Sequence, residues 1–143
     1  MHVSDLLAAK GRDVATISQE SSVASALGVL RDRGIGAIVV TSSVAPLSGI
    51  LSERDVVRAL AIHGAAALDM AVSDLMSSTV TTCTEENSLD ELMTLMTQQR
   101  IRHVPVVVDD ALVGLVSIGD VVKARVDELE RDRRELIEYV NAR

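Results

Sequence analysis

Apolar residues recur along this chain in two matching cycles, and the polar residues that punctuate them return in the same order. Val3-Ser4-Asp5-Leu6 comes back as Val72-Ser73-Asp74-Leu75, and the helically spaced set Val23, Ala26, Leu27, Leu30 as Leu89, Leu92, Met93, Met96. Gly49, Ser52, Asp55, Val56 and Val57 return as Gly114, Ser117, Asp120, Val121 and Val122. The offset between copies drifts from 69 to 66 to 65 residues, as it does when packed elements stay in step while loops gain or lose residues. Two copies, with no longer array, point to a closed pseudo-twofold module rather than a solenoid.

Each copy predicts a short helix, a strand, a helix, two strands and a helix, a mixed α/β (α+β) pattern. In the first, residues 23–33 carry apolar positions at helical spacing and Gly34 ends them, while residues 35–41 form a β-branched run read as a buried strand. Ser42, Ser43 and Pro46 supply turn material before a second strand at 47–51, and Ser52 opens a helix to about Ile62. In the second copy Thr82 and Cys83 fall on the first strand, Ser88-Leu89-Asp90-Glu91 has the form of a capping box for a helix ending near Gln99, and Asp109-Asp110 mark a turn. Pro105 interrupts the apolar run 104–108, which predicts an edge or irregular strand.

From Gly119 one helix is predicted to about Asn141, with the stripe Val122, Val126, Leu129, Leu136, Val140 broken by Arg133. Asp127/Arg131, Glu130/Arg134 and Arg134/Glu138 lie along it at i,i+4 spacing. The chain thus divides into a first repeat at 1–62, an Ala-rich, partly helical connector at 63–71, a second repeat at 72–126 and a helical extension at 127–143. The stripe runs past its own repeat, which predicts a homodimer with this helix in the contact.

Among 143 residues, each repeat is marginal alone, so the copies should share a core. Hydrophobic content is 48% but aliphatic, with no Trp, no Phe and a single Tyr. Stacking platforms for single-stranded nucleic acid are therefore missing, and a formal net charge of −7 opposes binding along a phosphate backbone. The lone Cys83 cannot close an intramolecular disulfide, and the chain carries no signal-peptide pattern and no run of about 20 apolar residues. The expectation is a reduced, soluble, cytoplasmic protein with neither nucleic acid nor membrane as partner.

GILSERD at 49–55 and GLVSIGD at 114–120 read first as helix N-termini, with Ser52 and Ser117 as caps and Asp55 and Asp120 favouring the positive helix end. Capping leaves one thing unexplained. A glycine stands three residues earlier in both copies, at the end of an apolar strand, and implies close approach of another group to the backbone.

This pattern, with the stretch IRHVPVVVDDALVG at 101–114 before it, resembles the cystathionine β-synthase (CBS) domain, and two in tandem resemble a CBS pair, or Bateman module. The resemblance covers residues 3 to about 126. It implies that Ser52 with Asp55, and Ser117 with Asp120, meet the ribose hydroxyls of an adenosine-containing ligand (AMP, ADP, ATP or NAD) between the repeats. It further implies that Gly36 and Ala37 admit the ligand to the backbone, that Arg102 and His103 meet phosphate, and that Thr16 and Thr82 line the adenine pocket. Arg54 is a further phosphate candidate, although an arginine in a first helical turn also reads as solvated. Ala37 stands where the second copy has His103, so the two sites should differ in affinity.

Other chemistry is poorly supported. Cys83 has no neighbouring base in sequence, and His2, His63 and His103 lack metal-ligand spacing, so no metal is expected. Ser117, Asp120 and His103 lack a nucleophile elbow. The run 98–103 and Arg131, Arg133, Arg134 read as solvated faces. The chain is read as a stand-alone, non-enzymatic regulatory module, with an energy-sensing role and an unknown protein target. A ligand-free dimerisation scaffold and a small nucleotide hydrolase or transferase are the alternatives.

Overall fold

The structure, a computed structural model, describes residues 1–142. The first repeat comprises α1 (Val3–Lys10), β1 (Thr16–Ser18), α2 (Val23–Arg33), β2 (Ala37–Thr41), β3 (Gly49–Ser52) and α3 (Glu53–His63). A 3-10 turn at Gly64–Asp69 leads to α4 (Val72–Leu75), α5 (Leu89–Gln99), β4 (His103–Val108), β5 (Ala111–Ser117) and α6 (Ile118–Asn141). Strands β1, β2 and β3 form one sheet, parallel then antiparallel, and β4 with β5 forms an antiparallel hairpin.

Local chemistry sets these boundaries. Ser22 Oγ accepts the Ser25 N–H at 3.1 Å to start α2, and Gly34 closes it in the left-handed conformation at φ 62°. Asp109 and Asp110, at φ 50° and 63°, make the two-residue turn of the second hairpin. Beside Pro105 the ladder slips between Val106 and Val107.

Three expectations need correction. The first strand of the second copy is reduced to one parallel bridge between Cys83 and Val106, because the chain turns at Thr84, whose N–H goes to Asn87 Oδ1 at 2.8 Å. The capping box of α5 is half formed: Ser88 Oγ accepts the Glu91 N–H at 3.0 Å, but the Glu91 carboxylate accepts from Asn87 Nδ2 at 2.7 Å instead. The i,i+4 pairs along α6 stay open, since charges in water gain little by closing. Its Arg125 pairs with Glu128 at 3.2 Å and with Asp90 at 3.6 Å.

The two cores are built by exchange. Helix α1 places Val3, Leu6 and Leu7 in the core of the second repeat with Leu89, Leu92, Val104, Val116 and Val121. Reciprocally, Val72 of α4 is buried in the first repeat's core with Val23, Leu30, Ile38, Leu51 and Val56. Backbone bridges repeat the swap: His2 pairs with Ser88, and Ala71 with Ser22.

The exchange explains the repeated glycines. A Cβ on Gly114 would stand 2.6 Å from Leu7 Cδ2, and one on Gly49 would stand 2.7 Å from the Ser77 carbonyl oxygen and 2.8 Å from Met76 Sδ. What approaches each strand is the exchanged segment. Gly114→Ala and Gly49→Ala should each destabilise by about 1–3 kcal/mol through overpacking. Gly49→Ala should do more damage, because Ser77 is held to Ile50 by hydrogen bonds of 2.9 and 3.0 Å. Gly28→Ala, inside α2 with nothing within 4 Å of the added carbon, should instead stabilise by about 0.5–1 kcal/mol. Urea unfolding of the three variants checks the sign and the order.

Candidate functional site

Hairpin register brings the candidate residues together. Ala37 lies opposite Ser52 in the first repeat and His103 opposite Ser117 in the second, so the residues entering each hairpin meet the residues that leave it for a helix. Backbone bonds fix the junctions: the Gly36 carbonyl accepts from the Glu53 N–H at 3.0 Å and the Arg102 carbonyl from the Ile118 N–H at 2.8 Å.

Both Ser–Asp pairs are complete capping boxes. Ser52 N–H donates to Asp55 Oδ2 at 2.9 Å while Ser52 Oγ accepts the Asp55 N–H at 3.3 Å, and the Ser52 hydroxyl also donates to Oδ2 at 3.0 Å. Ser117 N–H donates to Asp120 Oδ2 at 2.8 Å and Ser117 Oγ accepts the Asp120 N–H at 3.2 Å. Every hydrogen bond to either carboxylate among the described residues falls on Oδ2. The Oδ1 atoms remain acceptors for an incoming hydroxyl.

The second site contains a residue that sequence reasoning missed. Lys10, in the last turn of α1, forms an ion pair with Asp120 and donates to the Leu115 carbonyl at 2.6 Å. Its only sequence signal is a basic residue ending a short helix. Nothing in the pattern says that this helix crosses to the other repeat.

His103 is half-buried at the meeting of the two repeats. A Cβ on Gly36 would lie 3.6 Å from its Cε1 and 3.7 Å from its Nε2, with the Glu53 carboxylate carbon 3.9 Å from the same point. Glycine at 36 thus leaves room for the imidazole. Burial holds the imidazole below its ordinary pKa of 6.5, the Lys10 and Arg102 charges push the same way, and Asp120 and Glu53 oppose them. Burial pushes the Asp120 carboxyl up, but the Lys10 ammonium and the Ser117 donors outweigh it and leave the group below its ordinary value.

The remaining candidates fall around these centres. Ala37 is fully buried, Arg54 and Arg102 are exposed, and Thr16 opens β1 opposite Val39 with its side chain exposed. Thr82, also exposed, precedes the lone Cys83 bridge rather than lying on a regular strand. Among the described residues neither threonine hydrogen-bonds to a Ser–Asp pair. Cys83 is buried, and desolvation raises its thiol pKa to about 11, which leaves it an inert core residue. The arrangement can accept a vicinal diol at each helix N-terminus and, in the second repeat, present Lys10, Arg102 and His103 to an anion.

A sequence profile of the CBS domain matches residues 3–62 and 72–127. The crystal structure of a CBS-domain containing protein from Agrobacterium tumefaciens is 48% identical, with a TM-score of 0.84 over 87% of this chain and 92% of that one. A CBS domain protein from Pyrobaculum aerophilum complexed with AMP is 27% identical, with a TM-score of 0.74 over 84% and 89% of the two chains. The mitochondrial CBS domain-containing protein CBSX3 of Arabidopsis thaliana is 38% identical over 88 residues, which is 60% of this chain and 43% of that protein. The chain spans less than two thirds of the curated relatives that it matches.

Both perturbed groups make the fold acid-sensitive in separate windows. The folded His103 resists protonation, so stability is full above the ordinary value of 6.5 and falls as pH drops below it towards the lower folded pKa. The Asp120 contribution persists above the ordinary carboxyl value of 3.8 and is lost as pH falls through the lower folded one. Between about pH 7.5 and about pH 5.5 the melting temperature should fall, and His103→Gln should flatten that slope without removing the loss below about pH 4. Thermal unfolding across this range, with equal slopes in both proteins as the contrary result, is the check.

Proposed function

The chain belongs to the CBS-domain family as a tandem pair, and we propose that it is a regulatory module binding AMP, ADP, ATP or NAD between the repeats and signalling its occupancy to a partner protein. The observation that carries the reading is the pair of Ser–Asp boxes, each with one carboxylate oxygen left as an acceptor, set beside His103 at the meeting of the repeats. A relative with AMP bound supports the ligand class. Each box fits a ribose cis-diol, and the second adds cations suited to phosphate.

Catalysis is not part of this reading. Ser117 Oγ is engaged with the Asp120 N–H, and His103 makes no hydrogen bond to it among the described residues. Energy sensing and a reducing, cytoplasmic setting complete the proposal. Among the described residues no helix is long and apolar enough to cross a membrane. A dimer is also proposed: Val126, Leu129, Leu136 and Val140 on α6 are exposed, as are Val57 and Ile62 on α3, the helix that corresponds to the start of α6. The scaffold reading draws on one observation, that both Ser–Asp pairs are already explained as caps.

Calorimetry with AMP, ADP, ATP, NAD and S-adenosylmethionine should find at least one ligand that also raises the melting temperature. No binding at millimolar concentration would favour the scaffold. Asp120→Ala should weaken the ligand by about ten- to a hundredfold, the loss of one charge-assisted contact of roughly 1.5–3 kcal/mol, and Asp55→Ala should weaken it less. A fall in stability with affinity unchanged would leave capping as the only role.

Light scattering should give a dimer for the full chain and weaker association for a chain ending at Val126. A monomeric full chain defeats the dimer, and unchanged association after truncation defeats the role of the tail.

A further inference from the structure

Lys10 reaches the second site from the wrong repeat. It belongs to the first copy, yet its ammonium pairs with Asp120 and is anchored on the Leu115 carbonyl at 2.6 Å. Two of its three N–H donors are used, and both ammonium and carboxylate keep partial exposure, 33% and 25%. Asp120 retains Oδ1 as an acceptor, so a group that reaches this carboxylate meets the spare Lys10 donor beside it.

The first site lacks this device. Helix α4 ends at Leu75, so Thr79, which corresponds to Lys10, lies beyond the helix. Asp55 takes the Ser52 hydroxyl as its extra donor instead, at 3.0 Å. One copy therefore offers a carboxylate acceptor backed by a hydroxyl, and the other a carboxylate acceptor backed by a cation.

We propose that Lys10 is a specificity-determining residue of the Ser117–Asp120 site, selecting phosphorylated adenosine ligands over the uncharged nucleoside by donating its spare N–H to a phosphate oxygen. The proposal rests on the nucleotide reading above. It assigns to the exchanged helix a direct part in ligand choice, in addition to its part in the core. The Lys10 and Arg102 charges both act on His103, and Asp120 and Glu53 are the opposing charges. An uncharged nucleoside would find the diol acceptor but no use for the ammonium.

Calorimetry on the full chain with adenosine, AMP and ATP as probes tests this, first on the unaltered protein and then in an Asp55→Ala background, so that the heat reports the second site. The background chain should bind AMP and ATP more tightly than adenosine. Adding Lys10→Met, which keeps the apolar stem, should weaken AMP and ATP by about ten- to a hundredfold while adenosine stays within about threefold, and Lys10→Arg should restore most of the loss. Equal weakening of adenosine and AMP by Lys10→Met would show that Lys10 only docks α1, and overturns the proposal. So would a background chain with no preference for phosphate, or a Lys10→Met chain with all three affinities unchanged. If the unaltered protein binds none of the three probes this inference falls, whereas the nucleotide reading falls only if ADP and NAD fail to bind as well, a result distinct from binding without selectivity.

Discussion

Exchange of the leading helices is the constraint on which the rest of the structure depends. Val3, Leu6 and Leu7 are at most 4% exposed, and all of that burial is against the other repeat. Burying side chains of this size contributes on the order of 1.5–3 kcal/mol each, against a net stability of about 5–15 kcal/mol for a whole domain. Separating the repeats would therefore cost much of the fold. The meeting of the repeats is held by the cores themselves, and a site built there inherits fixed geometry.

The same constraint explains why glycine is needed at 49 and 114. Those positions face Met76–Ser77 and Leu7, residues of the exchanged segments, at distances that no Cβ could share. A few residues later each strand passes directly into a helix through a Ser–Asp box. Glycine, serine and aspartate thus form one device: the glycine admits the partner helix, the serine satisfies an orphan N–H, and the aspartate closes the box while keeping an oxygen free. Structural capping uses one oxygen of each carboxylate and leaves the other as an acceptor.

Near-symmetry of the backbone does not extend to charge. At the second helix N-terminus Lys10 pairs with Asp120, and Arg102 and His103 lead into the strand paired with Ser117, whereas the positions corresponding to these three basic residues are Thr79, Gly36 and Ala37. The small residues also have a use across the interface, because Gly36 leaves the space that the His103 imidazole fills. One repeat's missing side chain houses the other's, so the asymmetry is cooperative in space. A homodimeric or monomeric assembly would carry the same inequality within each chain.

Most of the architecture was legible in the order of residues because its causes are local. The 3.6-residue spacing from Val23 to Leu30, the left-handed stop at Gly34, the Asp109-Asp110 turn and the Ser–Asp boxes each act within a few residues, and the structure places them where the pattern does. The duplication itself is visible for the same reason. Where the pattern misled, a neighbouring side chain had intervened: Asn87 takes both the Glu91 carboxylate and the Thr84 N–H, which halves one capping box and cuts a strand to a single bridge. What the sequence could not state is which core receives each leading helix. Val3, Leu6 and Leu7 read as an apolar face in either case, since periodicity records that a side chain is buried but not against what. Only tertiary packing decides that α1 crosses over, that Gly114 exists for Leu7, and that Lys10 stands 110 residues away in sequence but in contact with Asp120.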